Sequence, residues 1–145
     1  EDEYNIIMQR MFLLKNFKPE QYLKNLYMSK ENISFLHKKK HLIGLHSHSH
    51  NTDIKRLSFN DQLKEYKKCK STLGKILKNN KVIKTMSHPC GSYNMNTFKV
   101  LKNLKIDLGF AAFANTHKIF EKRRKYYSFQ APRIDHPLII KMMNK

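Results

Sequence analysis

The chain of 145 residues is poor in cysteine, proline, glycine and acidic residues. Two cysteines, Cys69 and Cys90, are too few for a disulfide framework, and we expect free thiols, as in a reducing compartment. The longest apolar run, residues 108–114, is far shorter than the ~18 residues that a membrane span requires. No linker rich in Gly, Ser or Pro divides the chain. Sixteen Phe and Tyr residues can fill a core, so the sequence predicts one globular domain over residues 1–145.

The shortage of acidic residues leaves the chain strongly basic, with 29 Lys and Arg against 11 Asp and Glu. The resulting charge of +18 attracts polyanions. Most of the basic residues are dispersed lysines, however, whereas bidentate recognition of phosphate or guanine favours Arg. We therefore expect no specific nucleic-acid partner. The acidic start, Glu1-Asp2-Glu3, is unlike the basic start of a signal peptide and favours a cytoplasmic location.

Helical and strand-like patterns alternate along the chain. Apolar spacing predicts helices over residues 4–17, 30–39 and 59–77, and from Asn94 or Asn96 to about Leu104. Ser29 is the expected N-cap of the second helix, and Ser58 with Asp61 resembles a capping box at the start of the third. Short apolar segments predict strands at residues 41–45, 82–86, 108–112 and 127–130. Strands that alternate with helices through short loops are typical of an α/β fold with a parallel sheet. Ligands bind at the carboxyl ends of the strands in such folds.

The first polar cluster follows the strand predicted at residues 41–45 and contains three histidines in five positions, His46, His48 and His50. Imidazole is the commonest protein ligand for zinc and also suits other transition metals. The bend after a strand can bring His46 and His50 around one ion. The spacing therefore predicts a divalent-metal site at these two residues, with His48 pointing away from it.

The second polar cluster, residues 87–94, follows the next predicted strand. Pro89 and Gly91 indicate a rigid turn, and such turns can aim backbone N–H groups at an anion. Taken alone, the segment is better explained as an ordinary loop between a strand and a helix, in which Gly91 adopts a positive φ and Asn94 caps the helix.

Together the two clusters resemble the polysaccharide deacetylase domain (NodB type, carbohydrate esterase family four). Residues 46–50 are similar to the family's H-[ST]-x-x-H metal motif, and residues 89–94 to its P-Y-G-S-Y-N turn. The segment 131–134, Ala-Pro-Arg-Ile, resembles an L-P-R-I segment found in part of the family. The resemblance is strongest over residues 28–112, and the two motifs together, about 40 residues apart, are far more specific than either alone.

The resemblance implies a distorted or partial (β/α) barrel and a metal-dependent hydrolase of carbon–nitrogen bonds that removes N-acetyl, or sometimes O-acetyl, groups from sugars. The implied partner is a carbohydrate polymer, or a lipopolysaccharide or capsule precursor. His46 and His50 would hold the divalent ion, with Zn as the first choice and Co, Ni, Fe or Mn as alternatives. The backbone N–H of Cys90 would stabilise the oxyanion, and Arg133 would orient catalytic carboxylates or substrate. The implied substrate-binding residues are His88, Pro89 and Tyr93.

Two family motifs have no counterpart in the sequence. The T-F-D-D motif supplies a metal-binding Asp and the general base, but none of the five Asp residues ends an apolar strand ahead of His46. The late L-x-L-H motif carries the acid, and Lys141 stands at the matching place. We therefore expect a domain that lacks its first strands and is inactive unless an Asp pair is supplied from outside this chain.

Two further interpretations stay open. His46 and His48 also fit the H-x-H-S motif of a metal-dependent phosphoesterase of the polymerase-and-histidinol-phosphatase type. In that family the motif lies on the first strand, whereas about 40 residues precede it in this chain. The phosphoesterase interpretation also leaves residues 89–94 unexplained. The other interpretation is a non-catalytic basic module that binds a glycan or nucleic acid. Absence of the Asp pair favours such a module, and retention of His46 and His50 argues against it.

Overall fold

The structure is a computed structural model that describes residues 2–112, 127–134 and 136–143. Its helices are α1 (Asp2–Leu14), α2 (Glu20–Leu26), α3 (Lys30–Lys38), α4 (Phe59–Leu77), α5 (Met95–Asn103) and α6 (His136–Met143). Its strands are β1 (Thr85–Ser87) and β2 (Leu108–Phe110), and short 3-10 turns lie at Ile54–Arg56, Asn80–Val82, Pro89–Gly91 and Tyr127–Phe129. None of the described helices has the length and apolar character needed to cross a bilayer.

Four chain segments run parallel, side by side and in chain order. Strands β1 and β2 pair with Met86 opposite Gly109. Leu45 forms a parallel bridge to Met86 on one side, and Ala131 forms a parallel bridge to Phe110 on the other. Helices α4 and α5 join the first three of these segments, an arrangement typical of the wall of a (β/α) barrel. The predicted α/β class with a partial (β/α) barrel is confirmed.

The first predicted strand, residues 41–45, is wrong except at Leu45. The Leu45–Met86 register would place residues 41–43 opposite residues 82–84, but that partner segment begins with the 3-10 turn Asn80–Val82. Leu42 is accordingly 81% exposed. Leu45 itself is fully buried and exchanges two 2.9 Å backbone hydrogen bonds with β1.

The fourth predicted strand, residues 127–130, is a 3-10 turn at Tyr127–Phe129. The ring of Phe129 is buried and packs against Phe98, with the ring centroids 6.1 Å apart. Its carbonyl oxygen lies 2.7 Å from Nε2 of His88. Because that carbonyl pairs with a side chain, the backbone ladder starts only at Ala131, whose N–H donates to the carbonyl of Gly109.

The starts of α3, α4 and α5 agree closely with the predictions, because their caps are local, whereas α2 and α6 were not predicted. Ser29 caps α3 in a reciprocal capping box with Asn32. Ser58 caps α4, because its hydroxyl oxygen accepts from the N–H of Asp61. The Asp61 carboxylate accepts from the Ser58 hydroxyl and not from the Ser58 backbone N–H, so the capping box is incomplete. At α5 the cap is Asn94, which resolves the choice between Asn94 and Asn96.

The core lies between the parallel layer and the helices α4 and α5. Its fully buried members are mainly aliphatic, with one tyrosine from α4; they include Leu45, Ile54, Tyr66, Ile83, Met86, Val100 and Leu101. Each large apolar side chain removed from water contributes about 1.5–3 kcal/mol. This core holds α4 beside the segment that follows Leu45 and α5 beside the carboxyl end of β1. The first polar cluster begins directly after Leu45, and the second begins at the end of β1. Both cysteines are free thiols, as predicted.

Candidate active site

His46 and His50 lie side by side directly after Leu45. Their ring centroids are 4.8 Å apart, with the ring planes inclined at 60°, and both residues are exposed. Nδ1 of His46 lies 2.9 Å from the carbonyl oxygen of Ser87, at the end of β1. A carbonyl oxygen only accepts, so Nδ1 carries the proton that it donates, and in the neutral ring Nε2 keeps its lone pair. This tautomer suits a metal ligand whose other ring nitrogen is held by a carbonyl.

The loop of residues 46–50 turns sharply at two residues with left-handed backbone. Ser47 has φ 56° and His50 has φ 55°, although neither is glycine. Such a conformation costs an ordinary residue about 1–2 kcal/mol. Contacts elsewhere must therefore hold the loop in this form. Neither left-handed residue could be recognised from the sequence, since the residues that favour this conformation are Gly, Asn and Asp.

One such contact comes from Glu65 on α4. Its Oε2 accepts hydrogen bonds from the N–H of His48 at 3.1 Å, the N–H of Ser49 at 2.9 Å and the hydroxyl of Ser49 at 2.9 Å. Burial alone would raise the pKa of Glu65, but the hydrogen bonds from Ser49 and His48 outweigh it, so the pKa is lowered. Glu65 could not be recognised from the sequence because it is 16 residues from Ser49 and looks like an ordinary helix-surface carboxylate.

The second cluster forms a tight turn between β1 and α5. Cys90 and Gly91 are consecutive left-handed residues, with φ 49° and 67°. A Cβ at Gly91 would meet that of Ala112 at 2.9 Å, so glycine is required there for space as well as for backbone conformation. Cys90 is exposed at the tip of the turn. Its backbone N–H as an oxyanion donor stays a prediction.

The substrate-binding residues predicted in this turn are not equally accessible. His88 is only 2% exposed, with its ring centroid 4.4 Å from that of Tyr93, and Pro89 is fully buried. Burial lowers the pKa of His88, although its hydrogen bond to Phe129 acts in the opposite direction. His88 and Pro89 thus lie in the interior, and their assignment as substrate contacts stays a prediction. Tyr93 is half-buried and keeps some surface for a ligand.

Ser92 and Asn94 connect the turn to the segment that follows the histidines. The Ser92 hydroxyl donates to Oδ1 of Asp53 at 3.2 Å and accepts from the N–H of Lys55 at 3.2 Å. Nδ2 of Asn94 donates to the carbonyl of Lys55 at 2.6 Å. Asp53 also pairs with Nε of Arg56 at 2.6 Å. These two motif residues are therefore structural, and Asp53 is engaged in an ion pair.

Arg133 reaches the same end of β1. Its Nη1 lies 3.5 Å from Oγ of Ser87, the residue whose carbonyl holds His46. Arg133 and His46 thus lie against the same residue, Ser87, one at its hydroxyl and the other at its carbonyl oxygen. The role of Arg133 in orienting catalytic carboxylates or substrate stays a prediction. Asp135 lies outside the described residues.

The loop of residues 46–50 offers two adjacent imidazole rings, those of His46 and His50. Two neighbouring imidazoles suit Zn and the other transition metals named above. Within residues 2–112, 127–134 and 136–143, no three His, Cys, Asp or Glu side chains come close enough to hold an ion. The residues present therefore fit part of a metal site, and a further ligand is needed to complete it.

A cleft of about 420 Å³ opens beside His50. Its walls are mostly polar, and the one phenol ring comes from α1; the lining residues are Tyr4, Ser49, His50, Asn51 and Thr52. Tyr4 is 65% exposed, so its ring is available to a ligand. Tyr4 could not be recognised from the sequence, because its distance from the histidines along the chain gives no indication that α1 reaches their loop.

Parallel segments with polar clusters at their carboxyl ends define an α/β domain of the kind that binds ligands at this edge. Residues 5–109 match the polysaccharide deacetylase family model. The match covers most of the chain, so the protein belongs to the polysaccharide deacetylase family, and the resemblance seen in its motifs is confirmed.

The fold is similar to that of a solved structure, the Streptococcus pyogenes deacetylase PplD in complex with acetate. The TM-score is 0.60 and the sequence identity is 20%, over 83% of this chain and 54% of that chain. This chain thus spans about half the length of PplD. A comparison with curated protein sequences gave no significant match.

Proposed function

We propose that this domain is the histidine-bearing part of a metal-dependent deacetylase that hydrolyses N-acetyl or O-acetyl groups on a sugar polymer. The observation that carries the proposal is the pair of adjacent imidazoles at the carboxyl end of a parallel segment, with the Nδ1 proton of His46 held by Ser87. Membership of the polysaccharide deacetylase family supports the reaction class and a carbohydrate substrate.

His46 and His50 would hold the divalent ion, with Zn as the first choice. When bound, such an ion supplies Lewis-acid activation of water and of the acyl carbonyl. The Ser87 carbonyl fixes the ring of His46 and increases its basicity as a ligand. The exposed turn at Cys90 would direct its N–H toward the developing oxyanion. Arg133, close to Ser87, would orient substrate or a catalytic carboxylate.

The missing carboxylates come, in this proposal, from a polypeptide segment carrying the Asp pair. Asp53, the Asp nearest to the histidines in sequence, already pairs with Arg56 and accepts from Ser92. Glu65 is engaged by three donors on one oxygen. A general base contributes about 10²–10⁴-fold to such a reaction. We therefore expect residues 1–145 alone to release little or no acetate.

The cleft beside His50 would receive the sugar. Hydroxyl and amide groups of Ser49, Asn51 and Thr52 suit the hydroxyl groups of a carbohydrate, and the Tyr4 ring offers an apolar face for the C–H side of a sugar ring. A lipopolysaccharide or capsule precursor also fits the proposal, because the charge of +18 attracts anionic glycans.

The test is acetate release from N- and O-acetylated oligosaccharides with added Zn or Co. We expect activity to appear when the N-terminal strands of a polysaccharide deacetylase, with their Asp pair, are fused before Glu1. His46→Ala in this fusion should abolish acetate release, and the matched control His48→Ala should retain it. Robust turnover by residues 1–145 alone would refute the external carboxylate and make Asp53 and Asp135 the first residues to mutate.

A non-catalytic glycan-binding module is the second candidate, because the described residues supply only two metal ligands. It predicts that the fusion binds oligosaccharides but releases no acetate, even when loaded with metal. The phosphoesterase interpretation would need His46 and His48 as ligands, whereas the ring that lies against His46 is that of His50.

A further inference from the structure

A carboxylate on helix α4 holds the middle of the histidine loop. Oε2 of Glu65 receives the consecutive backbone N–H groups of His48 and Ser49 and the Ser49 hydroxyl, all within 3.1 Å. Consecutive N–H groups that converge on one anion form a backbone nest. Here the anion is a side chain of the protein itself.

This contact lies between the two turning points of the loop. Ser47 precedes the nest and His50 follows it, and both have left-handed backbone that an ordinary residue adopts at a cost. His48 and Ser49 are exposed, so water can take over their N–H groups if the carboxylate is removed. The loop would then relax toward ordinary backbone angles, and the ring of His50 would move away from that of His46.

Helix α4 is a rigid support for this contact. It is 19 residues long, and Tyr66, the neighbour of Glu65, is fully buried in the core. Because the core holds α4 in place, a carboxylate on α4 can keep the exposed loop in a fixed position relative to the core. His46 has its own anchor at Ser87, whereas the contact with Glu65 fixes the part of the loop that leads to His50.

We infer that Glu65 is a positioning residue, which holds the loop so that the ring of His50 stays beside that of His46 for metal binding. The inference rests on the proposed metal-binding function of the two histidines. Glu65 acts through the backbone of His48 and Ser49, not as a ligand or as a base.

The experiment compares wild type with Glu65→Ala, Glu65→Gln, Ser49→Ala and the control Glu20→Gln, which removes an exposed carboxylate on α2. Zinc affinity is measured by calorimetry, and thermal unfolding is followed for each variant. Metal-free NMR reports hydrogen exchange at the amides of His48 and Ser49 and the ring signals of both histidines. The Co(II) absorption spectrum reports the geometry of the loaded site.

We expect Glu65→Ala to weaken zinc binding by about 10- to 100-fold and to speed amide exchange at His48 and Ser49. Glu65→Gln should lose less, because the amide oxygen still accepts hydrogen bonds. Ser49→Ala, which removes one of the three donors, should lie between Glu65→Gln and wild type. The Co(II) spectrum should change in Glu65→Ala, and Glu20→Gln should match wild type in every measurement.

Unchanged zinc affinity in Glu65→Ala, or unchanged histidine ring signals in its metal-free form, would overturn the inference. If wild type itself binds no zinc, the proposed function fails, and the metal-free NMR data alone decide whether Glu65 holds the loop. If Glu65→Ala does not fold, Glu65→Gln and Ser49→Ala provide the same comparison. Losses of zinc affinity that follow the melting temperature in all variants would also contradict a positioning role.

Discussion

Replacing Asn94 by alanine tests the connection between the two polar clusters. Oδ1 of Asn94 accepts from the N–H groups of Asn96 and Thr97, at 2.9 and 3.1 Å, and thereby caps α5. Nδ2 donates to the carbonyl of Lys55, in the segment that follows the histidine loop. One side chain therefore begins a core helix and connects the turn at Cys90 to the other cluster.

The expected loss follows from these two contributions. Removing a helix N-cap costs about 1 kcal/mol, and the hydrogen bond to Lys55 contributes about 0.5–1.5 kcal/mol. Asn94→Ala should therefore lower the free energy of unfolding by about 2 kcal/mol, a large fraction of the roughly 5–15 kcal/mol typical of a domain. Asn94→Asp keeps a good cap but loses the donor to Lys55, so it should cost about 1 kcal/mol.

Urea unfolding followed by circular dichroism measures both variants. With an m-value of about 2 kcal/mol/M, Asn94→Ala should move the midpoint down by about 1 M. Asn96→Ala is the control, because the structure assigns the cap to Asn94. A loss below about 0.5 kcal/mol in Asn94→Ala, or an equal loss in Asn96→Ala, would refute this reasoning.

Three other predictions concern pH, substrate and charge. Burial lowers the pKa of His88, so the unfolded chain binds more protons than the folded chain once the pH falls below about 6.5. The free energy of unfolding should therefore fall as the pH drops through that value. His88→Gln should show a smaller fall between about pH 7.5 and 5.5 than wild type, and an equal fall would contradict His88 as the cause. Tyr4→Ala should weaken oligosaccharide binding about fivefold, equivalent to about 1 kcal/mol, whereas Tyr4→Phe should retain the affinity. Equal losses of affinity in the two variants, measured by calorimetry, would exclude ring stacking. Binding to DNA should weaken steeply with salt and show no sequence preference, and a preference of about a hundredfold at about 150 mM salt in a competition assay would instead indicate a nucleic-acid module.

Local features were predictable from the sequence. Ser29 and Ser58 were predicted as caps and Asn94 as one of two candidates, and each caps a helix, because an N-cap depends on residues two or three positions away. The adjacency of His46 and His50 follows from a motif of five residues and agrees with the structure.

Features that depend on distant parts of the chain were not predictable. The contacts of Glu65 with the histidine loop and the approach of Tyr4 to the cleft join residues far apart in sequence. The burial of His88 was missed for the same reason, since its hydrogen-bond partner is Phe129. Apolar composition also predicted a strand at residues 127–130, where tertiary contacts of the Phe129 ring and carbonyl produce a turn instead.

The central claim is that His46 and His50 form a divalent-metal site, and a zinc titration tests it most directly. Calorimetry would compare wild type with His46→Ala, His50→Ala and His48→Ala. We predict that the first two substitutions abolish or strongly weaken zinc binding and that His48→Ala leaves it close to wild type. Equal affinity in all four proteins would contradict the claim, and loss only in His48→Ala would favour the H-x-H arrangement instead.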